Sequence, residues 1–158
     1  MSDSYQLYYK NDKQQKSFQV LESLVSTRSN FTISPVFNEF KCDVYVLFDN
    51  PQSNIIAIDW DNTFTVHPKF YNKLIYAYLE AGFKPIICTL RGSDAEDVHE
   101  ICELMDAGDV EICPTSGEHK RSYIKQKKGM NINLWIDDFF PGIADCDCDL
   151  MLKNGILV

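Results

Sequence analysis

The stretch IIAIDWDNTFTV, residues 55–66, places two carboxylates, Asp59 and Asp61, two positions apart directly after an apolar run. A short continuous apolar run ending in turn formers reads as a strand buried on both faces, the kind found in parallel sheets. One Asp is enough for a strand-to-turn junction. Two of them, separated by a Trp60 expected to face the core, make the strand end an acidic pair.

Working outward, the chain from residue 55 onward alternates short apolar runs with amphipathic stretches. Residues 68–82 read as a helix, with Pro68 suited to its first turn and Gly82 to its stop. KPIICT (84–89) is the next strand, and 93–108 the next helix, with Ser93 and Glu96 spaced as a capping box. DVEIC (109–113) gives a third strand, 116–129 a helix stopping at Gly129, and INLWIDD (132–138) a fourth strand. Strands alternating with helices predict right-handed crossovers. The expected fold is α/β, a doubly wound, Rossmann-like parallel sheet with helices on both faces. Asn-Gly within DLMLKNGILV (149–158) predicts a carboxy-terminal hairpin. Ahead of the core, 13–28 reads as a helix, CDVYVLFD (42–49) as an extra strand and NPQSN (50–54) as a turn. The organisation expected is one domain over 1–158, with 1–50 an extension packed on a core of 51–158.

The chain of 158 residues has room for one domain with a real core. A net charge of −8 argues against a broad nucleic-acid footprint, although Lys120, Arg121, Lys125, Lys127 and Lys128 form a local basic stretch. No apolar run reaches the roughly 20 residues of a membrane span, and the amino terminus lacks a signal-peptide core. The expected location is cytoplasmic, with no membrane partner. The six cysteines suit that compartment, since most lie in or beside apolar stretches where a thiol simply packs. Cys146 and Cys148 lack a partner pair at zinc spacing.

Ligands of open α/β sheets gather outside the carboxyl ends of the parallel strands. Four such ends here are chemically distinctive. They deliver Asp59 and Asp61, then Thr89 and Arg91, then Lys120 by way of PTSGEH, then Asp137 and Asp138. Clustered carboxylates repel one another and persist best around a divalent cation. Oxygen donors without a His or Cys cluster favour Mg²⁺. A hydroxyl and an ammonium beside such a cation suit an anionic oxygen group, most simply a phosphate.

DWDNT, then CT, then Lys120, then WIDD resembles the four motifs of the haloacid dehalogenase-like (HAD) phosphohydrolase superfamily, over about residues 55–140. The resemblance implies an aspartyl-phosphate mechanism. Asp59 would be the nucleophile and a Mg²⁺ ligand, and Asp61 the general acid/base, binding the metal through its carbonyl. Thr89 and the Leu90 N–H would hold the phosphoryl oxygens, and Lys120 would neutralise them. Asp137 and Asp138 would complete the metal site, and Thr63 would hold the turn. Asn62 stands where many relatives have Gly, a substitution that left-handed backbone tolerates. Arg91 joins Thr89, Leu90 and Lys120 as a substrate-binding candidate. Lys125 competes with Lys120, which is preferred for its place at a helix start.

The gaps between motifs, 25 residues from Thr63 to Thr89 and 30 from Thr89 to Lys120, leave no room for a cap domain. The expected substrate is a phosphomonoester, either a nucleotide or small phosphate or a macromolecular phosphate end. The net charge does not support a nucleic-acid end. The first 50 residues, with YQLYY (5–9) and PVFNEF (35–40), or an oligomer interface, are the candidates to cover an open site. The alternative reading is a non-catalytic phosphate- and Mg²⁺-binding module of the same fold. A phospho-accepting receiver domain fits less well, because its acidic pair would follow the first strand and its acceptor the third.

Overall fold

The computed structural model describes residues 11–25, 33–34 and 44–144. Helix α1 (Asp12–Val25) is followed by strands β1 (Ile33–Ser34), β2 (Val44–Phe48) and β3 (Ile55–Ile58). Helix α2 (Pro68–Glu80), β4 (Lys84–Thr89), α3 (Ala95–Leu104), β5 (Glu111–Pro114), α4 (Lys120–Tyr123) and β6 (Leu134–Asp137) complete the order. The sheet order is β1-β2-β6-β3-β4-β5. β3 lies at its centre, parallel to both β4 and β6, and β5 continues the parallel run beside β4. The fold is thus α/β with a mostly parallel sheet, compatible with a Rossmann-like arrangement.

The sheet is mixed, which corrects the expectation of a wholly parallel one. β2 runs antiparallel to β6, pairing Tyr45 with Asp137 and Phe48 with Leu134. The link from β2 to β3, residues 49–54, contains a tight turn in which the Ser53 N–H donates to the Asn50 carbonyl at 3.2 Å. It carries the chain past β6 to β3, so the two strands enter the sheet in opposite senses.

Local chemistry explains the elements. Asn11 caps α1 by accepting the Gln14 N–H at 2.9 Å. Phe18 and Leu21 on its inner face are fully buried, and Phe18 meets Phe48 edge-on at 5.6 Å between ring centroids. α2 buries Phe70, Tyr71, Leu74, Ile75 and Tyr78 at three-and-four spacing and ends before Gly82, whose φ of +91° few other residues adopt. α3 starts at Ala95, so Asp94 flanks it and the Ser93–Glu96 box is one position out of register. The helix expected over 116–129 is shorter: one α-turn at Lys120–Tyr123 passes into a π-turn over Ile124–Lys128 and stops at Gly129 in left-handed backbone. The predicted hairpin at 149–158, Cys146 and Cys148, YQLYY and PVFNEF lie outside the described residues. Among the described residues, no helix is long and apolar enough to cross a membrane.

Candidate active site

The carboxyl ends of β3, β4 and β6 form one rim, and the backbone there sets the site. The Asp59 N–H donates to the Ile136 carbonyl at 2.9 Å, so β3 stays stitched to β6 up to the first acidic residue. Trp60 then turns inward, fully buried and stacked on Phe64 at 4.6 Å, as its spacing predicts. Asn62 adopts φ 61°, the left-handed conformation anticipated for it, and its N–H donates to Thr65 Oγ1 at 3.0 Å. This tight turn returns Thr63 beneath the acidic residues. Thr63 Oγ1 lies 3.0 Å from Asp59 Oδ2 and 3.2 Å from Asp138 Oδ1, so its single proton bridges the ends of β3 and β6.

Lys120 reaches the same point from the start of α4. Its ammonium lies 2.6 Å from Asp59 Oδ1 and 2.6 Å from Asp137 Oδ2, and only 1% of its side chain is exposed. Burial opposes the charge, yet the Asp137 and Asp59 carboxylates outweigh it and hold the ammonium above the ordinary lysine range. Lys125 is exposed on the π-turn. The Asp137 carboxyl is pushed up by burial; Lys120 pulls it down, and Asp59 pushes it up again. Asp138 is raised to about 7 by burial, then by its contact with Asp59 and that residue's charge.

One oxygen from each of Asp59, Asp137 and Asp138 falls within 4.8 Å of the others, close enough to share a metal ion. Two buried carboxylates therefore share one buried ammonium while the half-buried Asp138 adds a third, and the cluster is short of positive charge. An all-oxygen donor set of this kind fits a hard divalent cation such as Mg²⁺. The Asp61 side chain is not part of this trio.

A cleft of about 280 Å³ opens over the cluster, lined by Asp59, Asp61, Asn62, Leu90, Lys120, Asp137, Asp138 and Phe139. Leu90 and Phe139 give it an apolar side, and Phe139 is 53% exposed at the mouth. Gly142 lies behind that wall: a Cβ there would come within 3.1 Å of both Leu90 Cδ1 and Phe139 Cδ2. Six of the eight residues singled out from the sequence thus share one cleft. Thr89 is buried beside it, its hydroxyl accepting the Arg91 N–H at 3.2 Å. Arg91 holds Asp61 instead of lining the cleft, with Nη2 to Oδ1 at 2.7 Å and Nε to Oδ2 at 2.9 Å.

Two contributors escaped the sequence reading, and a third was read too narrowly. Glu100, bonded to Arg91 at 2.9 Å, lies on the next helix with no spacing that points to it. Phe139 was hidden by the acidic pair before it. Thr63 was assigned only to the turn, although it contacts both acidic strand ends. No family model, curated protein or solved structure matches the chain.

Proposed function

We propose that the protein is a Mg²⁺-dependent phosphomonoester hydrolase working through an aspartyl-phosphate on Asp59. The single observation that carries this reading is the buried Lys120 bridge between Asp59 and Asp137, with Asp138 completing an undercharged oxygen cluster at the floor of a cleft. The haloacid dehalogenase-like relationship and the doubly wound layering belong to the same proposal.

Asp59, Asp137 and Asp138 would hold Mg²⁺, which when bound supplies positive charge that lowers the repulsion between an incoming phosphate and the carboxylates. Lys120 fixes Asp59 and offers its ammonium to a phosphoryl oxygen. An Asp59 oxygen attacks phosphorus as the bond to the leaving oxygen breaks, and that oxygen takes a proton from Asp61. Water then gives its proton to Asp61 as its oxygen attacks phosphorus, breaking the bond to Asp59 and releasing inorganic phosphate. Leu90 and Phe139 exclude water from one side of the leaving group. Substrate binding is assigned to Lys120, Leu90 and Thr89.

The test is hydrolysis of an aryl phosphate with Mg²⁺, stopped by EDTA and restored by excess Mg²⁺. A protein that binds Mg²⁺ yet turns over nothing in a broad phosphomonoester panel would be the non-catalytic binding module.

A further inference from the structure

Arg91 sits beside the cleft without lining it, and its contacts are unusually directed. Nε and Nη2 fork onto the two oxygens of Asp61, while Nη1 donates to Glu100 Oε2 on α3. The backbone beneath is fixed as well. The N–H groups of Thr115, Ser116 and Gly117 donate to the carbonyls of Thr89, Arg91 and Leu90 at 2.8, 2.9 and 2.8 Å. A braced loop carries Arg91, and Arg91 carries Asp61.

Asp61 would otherwise be poorly held. Its side chain is 48% exposed and follows the buried Trp60 into a left-handed turn at Asn62. An exposed carboxylate on its own samples several rotamers, whereas proton transfer needs one geometry. Exposed ion pairs contribute little to folding stability. The planar fork does something else well: it fixes direction.

We infer that Arg91, braced by Glu100, is a positioning residue that aims the Asp61 carboxyl at the leaving-group side of the cleft. The inference rests on the hydrolase reading above. In the first half-reaction the proton leaves Asp61 for the departing oxygen, and in the second it arrives from water. When Asp61 carries the proton, one of its oxygens still accepts from Arg91, and Nη1 stays on Glu100. The fork loosens to a single bond without releasing the side chain. Arg91 therefore acts through Asp61 and touches neither phosphate nor metal.

The experiment is a leaving-group series with the full chain in saturating Mg²⁺, from p-nitrophenyl phosphate through phenyl phosphate to an alkyl phosphate. An acidic leaving group departs unaided, and a basic one needs the proton. For Arg91→Ala, kcat/KM is expected to fall no more than about 3-fold on p-nitrophenyl phosphate and on the order of 10²-fold on the alkyl ester. Arg91→Lys, which keeps a charge but not the fork, should fall between, and Glu100→Gln should show a smaller loss with the same bias. These two milder variants carry the test if Arg91→Ala fails to fold. An equal loss across the series, or a rise confined to KM, would overturn the positioning role and make Arg91 a substrate contact. Absence of turnover by the unsubstituted protein would instead overturn the hydrolase reading, and this inference with it.

Discussion

Both rims of the sheet bury polar groups, but they neutralise them differently. At the amino rim, Asp49 follows the antiparallel β2 and accepts Arg121 Nε at 2.9 Å, Arg121 Nη2 at 3.2 Å and Trp135 Nε1 at 3.1 Å. Gln14, Ser17 and Asn133 join there, with Ser17 Oγ 2.6 Å from Asn133 Oδ1 and Gln14 Nε2 donating to the Asn133 carbonyl at 3.2 Å. One carboxylate meets one guanidinium, and neutral groups satisfy one another. At the carboxyl rim Lys120 is shared by Asp59 and Asp137, and Asp138 adds a third carboxylate with no cation of its own among the described residues. Lys120 and Arg121 are adjacent in sequence, yet one completes its partner and the other leaves a deficit. A balanced network is a fastening; a deficit calls for an ion.

Removing the carboxylate proposed as nucleophile is the strongest way to break this contrast. Asp59→Asn should lower kcat/KM by about 10⁴-fold or more and leave no phosphorylated species by intact mass after brief exposure to substrate. A phosphorylated Asp59→Asn protein would take the nucleophile role away from that residue. The adjacent cations come next. Lys120→Met should cost roughly 10²- to 10³-fold in kcat/KM. Arg121→Met should cost about 1–3 kcal/mol of stability in a denaturant titration, with kcat unchanged. Equal activity losses in the two would erase the distinction between the rims.

The deficit also predicts a pH signature in the metal-free protein. Asp138 has a folded pKa of about 7, above its ordinary unfolded value. The folded state therefore binds more protons between those limits, and its contribution to stability is full below about pH 4 and lost as the pH rises through about 7. In EDTA the Tm should fall across that window. Saturating Mg²⁺, which takes up the ionised carboxylates, should widen the Tm gap between the two conditions from about pH 5 to about pH 8. A gap independent of pH would place the cation away from Asp138. The smallest effect belongs to the cleft wall. Gly142→Ala crowds Leu90 and Phe139 by a few tenths of an ångström and should raise KM for an aryl substrate about 2- to 5-fold, with kcat nearly constant.

The carboxyl rim was largely legible because strand ends are local signals. Apolar runs ending in Asp59, Thr89 and Asp137 mark β3, β4 and β6 to within a residue or two. Gly82 and Gly129 mark helix stops through backbone conformations that favour Gly. Lys120 was separable from Lys125 by its distance from the rim. The amino rim was illegible for the opposite reason. The continuous apolar run 44–48 shows a strand but not its direction, and nothing near Asp49 names Arg121, 72 positions away, as its partner. Arg91 and Asp61 are likewise 30 positions apart, joined only once β3 and β4 pair. The shortening of α4 into a π-turn has no signature in a run of lysines that would suit an ordinary helix.

Trp60 sits between the two acidic residues with its Nε1 buried and, among the described residues, without a hydrogen-bond partner. Trp135, the only other tryptophan, donates its Nε1 to Asp49 at the far rim. The chain thus carries two fluorophores in contrasting settings, an unbonded indole stacked on Phe64 and a hydrogen-bonded one beside a carboxylate. Emission from Trp60 should be blue-shifted and sensitive to charge arriving at Asp59, while Trp135 serves as an internal reference. Titrating Mg²⁺ into Trp135→Phe should change the spectrum saturably, and titrating it into Trp60→Phe should leave the spectrum flat. Occupancy of the acidic rim can then be followed by light alone.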